Sequence, residues 1–362
     1  MRKIGLIGWR GMVGSVLMSR LREMGDFKHF EAYFFSTSQA GQMAPAEAHE
    51  SQLLDAYEFD QLIEMDMVVS CQGGGYTDRI YQPLRDAGWQ GYWVDAASTR
   101  RLASDSVIVL DPVNLVAIEQ AIDQGIKDFI GGNCTVSLLL MAIAPLLQQG
   151  LVEWVTSMTY QAISGAGAQA MTTFVNQMQA VSQSIALSDN ALQIDQQLQS
   201  HLQDAGLPVE GIGFPLAANL LPWIDTAVGS GQTREEWKAM AEANKILAAN
   251  QPVPIDGTCV RVGAMRSHSQ ALTIKLKQTV DLNTIQSLLE NWHPWLRWAE
   301  NTRQQTLLNL TPASVSGTLD IAVGRVRHLL IGQDYLNVFT VGDQLLWGAA
   351  EPLRRVMALL FQ

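Results

Sequence analysis

The sequence predicts an α/β protein of two units, an open and largely parallel sheet followed by an α+β unit, on three observations. Short apolar strand patterns alternate with helical spacing over residues 4–110. A glycine-rich turn joins the first of those strands to the first helix. The chain, 362 residues long and 48% hydrophobic, exceeds what one core serves and has the apolar content for two. Taken in order, Ile4–Ile7 reads as a short buried strand. Gly8–Gly14 follows as a turn, and Val13–Met24 as a helix with Val13, Val16, Leu17 and Leu21 on one face. Further strands are expected at Ala32–Phe35, Met67–Ser70, Tyr92–Val94 and Val107–Leu110. From Cys134 the rhythm changes to a helix ending near Leu147, a strand near Val155–Tyr160, and one long Gln- and Ala-rich helix from Gln169 to near Leu202. Strand patterns return at Cys259–Val262, Ala271–Leu276 and Ala322–Val326, and Trp347–Leu360 has helical spacing. The expected division is 1–132 for the first unit, with 345–362 packing back on it, and 133–344 for the second.

Gly8-Trp9-Arg10-Gly11-Met12-Val13-Gly14 is a G-x-x-G-x-x-G run placed directly after a strand and opening a helix. There the backbone can turn tightly against a pyrophosphate resting on the helix N-terminus, which makes the first unit Rossmann-like and dinucleotide-binding. A ribose 2′-hydroxyl usually meets a carboxylate at the end of the second strand, but this strand runs out through Phe35-Ser36-Thr37-Ser38 with none. Arg10, Thr37 and Ser38 offer a cation and hydroxyls suited to a 2′-phosphate, so the expected cofactor is NADP. Read without the loop, Arg10 is equally a solvated surface arginine.

A formal net charge of −11 argues against nucleic acid as a partner. The longest apolar segment, Cys134–Leu147, is broken by Thr135, Ser137 and Pro145 and falls short of the roughly 20 residues of a membrane span. The first residues read as a strand and not as a signal peptide. Three cysteines without regular spacing fit neither a disulfide framework nor a metal site, and a reducing cytoplasm is expected.

Cys134 follows Gly131-Gly132-Asn133 at the onset of a helix. Unpaired N–H groups and the helix dipole place positive potential there, so the thiol is expected to ionise more easily than a free one and to act as a nucleophile. The competing reading is a small buried hydrophobe, which also describes Cys71 and Cys259. Among six histidines, His268 in Arg266-Ser267-His268-Ser269-Gln270 is the best proton-transfer partner, although a histidine between two strands is often merely solvated. A dinucleotide unit joined to a helix-start cysteine points to acyl-thioester chemistry with hydride transfer.

Six runs carry a resemblance to a known family: Ile7–Ser15, Phe35–Ser38, Gly131–Ser137, Arg234–Lys238, Val260–Ala264 and Val341–Ala350. Over nearly its whole length the chain resembles the aspartate-semialdehyde dehydrogenases of Gram-negative bacteria. The resemblance implies a homodimer and reversible, NADP-dependent reductive dephosphorylation of L-4-aspartyl phosphate to L-aspartate 4-semialdehyde, in lysine, methionine and threonine synthesis. It implies that Cys134 is the nucleophile and that His268 is the acid/base catalyst, seven residues after a substrate-binding arginine, a place filled by Arg261.

Gln161 matches the family's substrate-positioning glutamine, and Glu235 would pair with the substrate ammonium. Arg101 and Lys238 match the phosphate-holding cations, with Asn133 beside the nucleophile. From spacing alone, Glu235 and Lys238 read as a surface i,i+3 pair, and Arg261 in a strand as part of a buried ion pair. For the cofactor, the matching positions are Arg10, Gly11, Met12, Val13, Thr37, Ser38, Gln72, the loop Ser164-Gly165-Ala166-Gly167-Ala168, and Gln344. Two departures are visible: Ala166 stands where many members have a third glycine, and Gln169-Ala170 replaces a more basic pair. The alternatives are an N-acetyl-glutamyl-phosphate reductase, against which Glu235 argues, and a catalytically silent NADP-binding protein.

Overall fold

The computed structural model describes residues 1–186, 188–203, 206–249 and 251–361. Its first sheet is built from β1 (Arg2–Ile7), β2 (Phe30–Ser36), β3 (Leu54–Asp55), β4 (Met67–Ser70), β5 (Tyr92–Asp95), β6 (Ser106–Val109) and β7 (Asp128–Gly131). The strands lie in the order β3-β2-β1-β4-β5-β7-β6, and every pairing is parallel. Parallel neighbours need crossovers, supplied here by α1 (Met12–Met24), α2 (Phe59–Leu62), α3 (Gly74–Asp86) and α4 (Asp111–Asp123). The strand order reverses at β1, so a crevice opens at the carboxyl ends of β1 and β4, where the glycine loop sits. The expected Rossmann-like sheet is borne out.

The second sheet is mixed, as expected of an α+β unit. It comprises β8 (Val152–Gln161), β9 (Leu220–Leu221), β10 (Ile255–Val262), β11 (His268–Leu276), β12 (Leu296–Ala299), β13 (Ile321–Leu329) and β14 (Gly332–Gly342), in the order β12-β13-β14-β11-β8-β10-β9. Helix α5 (Cys134–Gln148) joins the two sheets. Residues 135–147 are all buried, and its apolar side chains share a core with Val155, Leu272, Ile274 and Val338. Without a solvated face, this helix gives no amphipathic stripe and can be read only from its unbroken apolar run.

The single long helix expected from Gln169 to Leu202 is two helices, α6 (Ala168–Ser184) and α7 (Ala191–Gln203). Ile185 turns extended, and the Asn190 side chain accepts from the Leu192 N–H, starting a new helix. Leu187, between them, lies outside the described residues, as does Gln362 at the end of the chain. Four helices complete the second unit: α8 (Arg234–Ile246), α9 (Leu282–Glu290), α10 (Arg303–Asn309) and α11 (Pro312–Val315). After β14 the chain makes one π-type turn, Leu346–Ala350, and α12 (Glu351–Leu360) buries Leu353, Val356, Met357 and Leu360 against Ile4, Leu6 and Phe129. No described helix is long and apolar enough to cross a membrane.

Candidate active site

Cys134 is the first residue of α5, and Asn133 caps that helix. The Asn133 Oδ1 accepts from the N–H groups of Thr135 at 2.9 Å and Val136 at 3.2 Å and from the Thr135 hydroxyl at 2.7 Å. Its Nδ2 donates to Glu235 Oε1 at 3.0 Å, so most of this amide is engaged within the protein. Gly348, in the π-type turn, lies directly against Cys134. A Cβ there would stand 2.8 Å from Cys134 Cβ.

A cleft of about 460 Å³ opens over Cys134, in the range of small-ligand sites. Gln161, Glu235, Arg261, Arg101, Lys238 and Asn133 all line it, so the six expected substrate and phosphate residues converge on the expected nucleophile. Glu235 is buried. Its Oε1 also accepts from Gln161 Nε2 at 3.4 Å and its Oε2 from Lys238 Nζ at 3.1 Å. The Glu235–Lys238 pair is therefore no solvated surface bridge. Against the cost of burial, Glu235 and Asp225 raise the Lys238 ammonium above its ordinary value.

Arg261 is buried too, near the end of β10, and its Nη1 donates to the Ala162 carbonyl at 2.7 Å. Among the described residues no carboxylate comes within ion-pair distance of it, so the buried ion pair left open by the sequence is not what is found. The N–H of that same Ala162 donates to His268 Nδ1 at 2.9 Å. With Nδ1 an acceptor, the ring proton belongs on Nε2, which has no partner among the described residues. Burial, with Arg261 adding to it, pushes His268 down to about 3, so the imidazole is neutral. Gly165 lies over both groups. A Cβ there would stand 3.0 Å from Arg261 Nη1 and 3.4 Å from His268 Nε2.

The expectation of an easily ionised Cys134 is corrected. Burial and the Glu235 carboxylate push the thiol up to about 12, against the opposing pull of Arg261, Arg101 and Lys238. Desolvation outweighs the pull of these three cations. Burial also pushes Cys71 and Cys259 up to about 12, so resting acidity does not single out the nucleophile.

The remaining cofactor positions spread along the groove. Met12, Val13, Ser164, Gly165, Gly167 and Gln344 line the cleft itself. Arg10, Gly11, Thr37, Ser38 and Gln72 do not, and lie farther out at the carboxyl edge of the first sheet. Gly8 has φ +72°, and a Cβ there would fall 2.5 Å from the Cys71 carbonyl carbon. One on Gly14 would fall 2.2 Å from the Gly8 oxygen. Such close backbone approach is what a pyrophosphate cradle requires. Exposed Arg10 stacks on Trp9, with 4.4 Å from its guanidinium carbon to the ring centroid. Ala166 and Ala168 are exposed on the loop that starts α6. Gln344 acts as a strut, accepting from the Ser267 N–H at 2.7 Å and donating to the Ser164 hydroxyl.

Comparison with known proteins agrees with this arrangement. The NAD-binding domain of the semialdehyde dehydrogenases matches residues 3–121 and their dimerisation domain residues 143–347. The structure of aspartate semialdehyde dehydrogenase from Francisella tularensis is 52% identical with a TM-score of 0.97, over 99% of this chain and 100% of that one. The chain belongs to the aspartate-semialdehyde dehydrogenase family. As a member of that family it is an oxidoreductase.

More distant members share the fold. Aspartate semialdehyde dehydrogenase II from Vibrio cholerae, complexed with ASA, is 21% identical with a TM-score of 0.81, over 99% of this chain and 98% of that one. The Candida albicans aspartate semialdehyde dehydrogenase with NADP is 16% identical with a TM-score of 0.67, over the same shares of each chain. Sequence reasoning missed several residues that build this member's site. Asp225, at φ +72°, lines the cleft and accepts from Lys238 at 2.9 Å, and no periodic pattern marks it. Glu242 shares one helical face with Glu235 and Lys238, a spacing that could have exposed it. Ala162 acts only through its backbone and leaves no trace in side-chain type.

Proposed function

We propose that the chain catalyses the reversible, NADP-dependent reductive dephosphorylation of L-4-aspartyl phosphate to L-aspartate 4-semialdehyde and phosphate, through a thioester on Cys134. In this reading it acts as a cytoplasmic homodimer in lysine (through diaminopimelate), methionine and threonine synthesis. Residues 1–132 with 345–362 hold the cofactor, and 133–344 carry catalysis and dimerisation. The observation that carries the reading is Arg261, a buried guanidinium with no acidic partner among the described residues, in one cleft with Cys134 and buried Glu235. A guanidinium of that kind suits a carboxylate, and Glu235 suits a free ammonium. Together they fit the α-amino-acid end of the substrate. An N-acetylated glutamyl phosphate has no cation for Glu235, which disfavours that alternative, and a silent NADP-binding protein has no use for Arg261.

The backbone approaches at Gly8 and Gly14 fit a dinucleotide phosphate, with Gly11, Met12 and Val13 at the helix start and Gln72 on the neighbouring crest. Arg10, Thr37 and Ser38, with no carboxylate at the end of β2, favour NADP over NAD. Ser164, Gly165, Ala166, Gly167, Ala168 and Gln344 would border the nicotinamide end. When bound, NADPH supplies hydride to the thioester carbon. Cys134 Sγ attacks the acyl carbonyl, and its thiol proton leaves with the departing phosphate, which Arg101 and Lys238 hold, with Asn133 beside them. Gln161 orients the acyl group through its place between Thr159 and Glu235. The acid/base role expected of His268 becomes, for a neutral ring whose one proton is on Nε2, donation of that N–H to the thiohemiacetal oxyanion as it forms; the C–S bond then breaks and Cys134 leaves as a thiolate, reprotonated from solvent.

The test runs the reaction backward with L-aspartate 4-semialdehyde, phosphate and NADP, following NADPH by absorbance for wild type and Cys134→Ala. Phosphate-dependent NADPH formation that vanishes in the variant is expected. Wild-type protein that binds NADP but gives no signal would sink the substrate assignment.

A further inference from the structure

Glu242 is a carboxylate with 2% exposure on α8, behind the cleft and outside its lining. Burying such a charge is costly unless both oxygens find partners. Here they do, on two different elements. Oε2 accepts the N–H of Asn133, immediately before Cys134, at 2.6 Å, and Oε1 accepts from Arg101 Nη1 at 3.2 Å. Arg101 is held on its other sides by the Gly131 carbonyl on Nε at 2.6 Å and the Ala96 carbonyl on Nη2 at 3.0 Å. Three of its five donors are thus fixed, leaving one N–H on each terminal nitrogen. Lys245, one turn along α8, donates to the carbonyls of Arg101 and Ala103, each at 2.7 Å, and ties this loop to the same helix.

We propose that Glu242 is the positioning residue of the phosphate subsite: it aims the two free donors of Arg101 and couples that aim to the helix start bearing Cys134. The inference rests on the proposed role of Arg101 in holding phosphate. Both partners of Glu242 are donors, so a carboxylate is required, and an amide can accept from only one of them while presenting its own N–H to the other. The hydrogen bonds of Arg261 and Gln161, at the amino-acid end of the cleft, do not include Glu242. Loss of the carboxylate therefore weakens phosphate and spares the semialdehyde.

Backward-direction kinetics on Glu242→Gln, Glu242→Asp and Arg101→Ala test this. For Glu242→Gln the KM for phosphate is expected to rise about 10- to 100-fold, while the KM for semialdehyde stays within about twofold. Glu242→Asp, which keeps the charge but draws it back by one methylene, gives the same split at smaller size and decides the matter if the Gln variant does not fold. A role confined to structure would raise both KM values and lower kcat together, and that pattern, or an unmoved phosphate KM in a folded variant, overturns the proposal. If Arg101→Ala leaves the phosphate KM unchanged, the reading of Arg101 itself fails. If Arg101→Ala raises it and neither Glu242 variant does, only the role of Glu242 fails.

Discussion

The backbone N–H of Ala162 donates to Nδ1 of His268 at 2.9 Å, and this single bond decides which ring nitrogen carries the proton. A protonated imidazole would set two N–H groups against each other at that point. The ring is therefore held neutral with its proton on Nε2.

This predicts both a kinetic and a stability signature. His268→Ala should lower kcat by ~10²–10³-fold, as loss of one donor to a developing oxyanion does. In the folded protein His268 lies at about 3 against an ordinary 6.5, so between those values only the unfolded chain carries its proton. Its contribution is fully present above pH 6.5 and falls by about 1.4 kcal/mol per pH unit as pH drops through that window. Thermal unfolding against pH should show the acid-side slope flattened in a folded His268→Gln protein. An unchanged slope would refute the neutral assignment.

Desolvation, and after it the Glu235 carboxylate, holds the Cys134 thiol back, and the carboxylate's share can be read by alkylation. Iodoacetamide at pH 7.5 should label wild-type Cys134 more slowly than a free thiol. Glu235→Gln removes the repelling carboxylate while Arg261, Arg101 and Lys238 remain, so labelling should accelerate, about tenfold for each unit by which the thiol falls. Equal rates in the two proteins would show that burial alone sets the thiol.

Gly348→Ala places a Cβ 2.8 Å from Cys134 Cβ and 3.0 Å from its Cα. Neither atom is the far end of a flexible side chain, so the π-type turn or the start of α5 must shift. We expect a loss of about 1–3 kcal/mol in stability, the usual range for overpacking, together with a reduced kcat. Gly75→Ala, where nothing lies within 4 Å, is the control. Chemical denaturation and turnover of both variants check this, and indistinguishable variants would disprove it.

Arg10 stacks on Trp9 at the rim of the glycine loop, exposed to solvent. Arg10→Ala should lower kcat/KM for NADP by about tenfold or more, as expected for losing one charge-assisted contact, while changing NAD little. Equal losses with both cofactors would remove Arg10 from 2′-phosphate recognition.

Much of the architecture is local and can be read directly from the chain. The strands β1, β2, β4, β5 and β6 follow from short apolar runs, and the glycine loop from its place between strand and helix. Strands β7, β12 and β14 do not stand out because Asp128, Arg297 and the Asn337–Thr340 stretch mix polar residues into them, and neighbouring strands supply their stability. The split of the long helix at Ile185 also escapes, since the Gln- and Ala-rich composition favours helix on both sides of the break.

By itself the sequence determined the residue types of the candidate site, among them a cysteine at a helix onset, a histidine between two strands, and the arginines and carboxylate that line one cleft with that cysteine. Only the tertiary structure decided their states. Folding leaves Cys134 half-buried beside Glu235 and drives its thiol up, whereas helix position alone argues the reverse. It brings Ala162 of one strand end against His268 of another and so fixes a tautomer. It also places Glu242 behind Arg101, residues 141 apart in the chain. Each is a consequence of burial and of long-range contact, and neither desolvation nor a backbone donor's partner is encoded in local spacing.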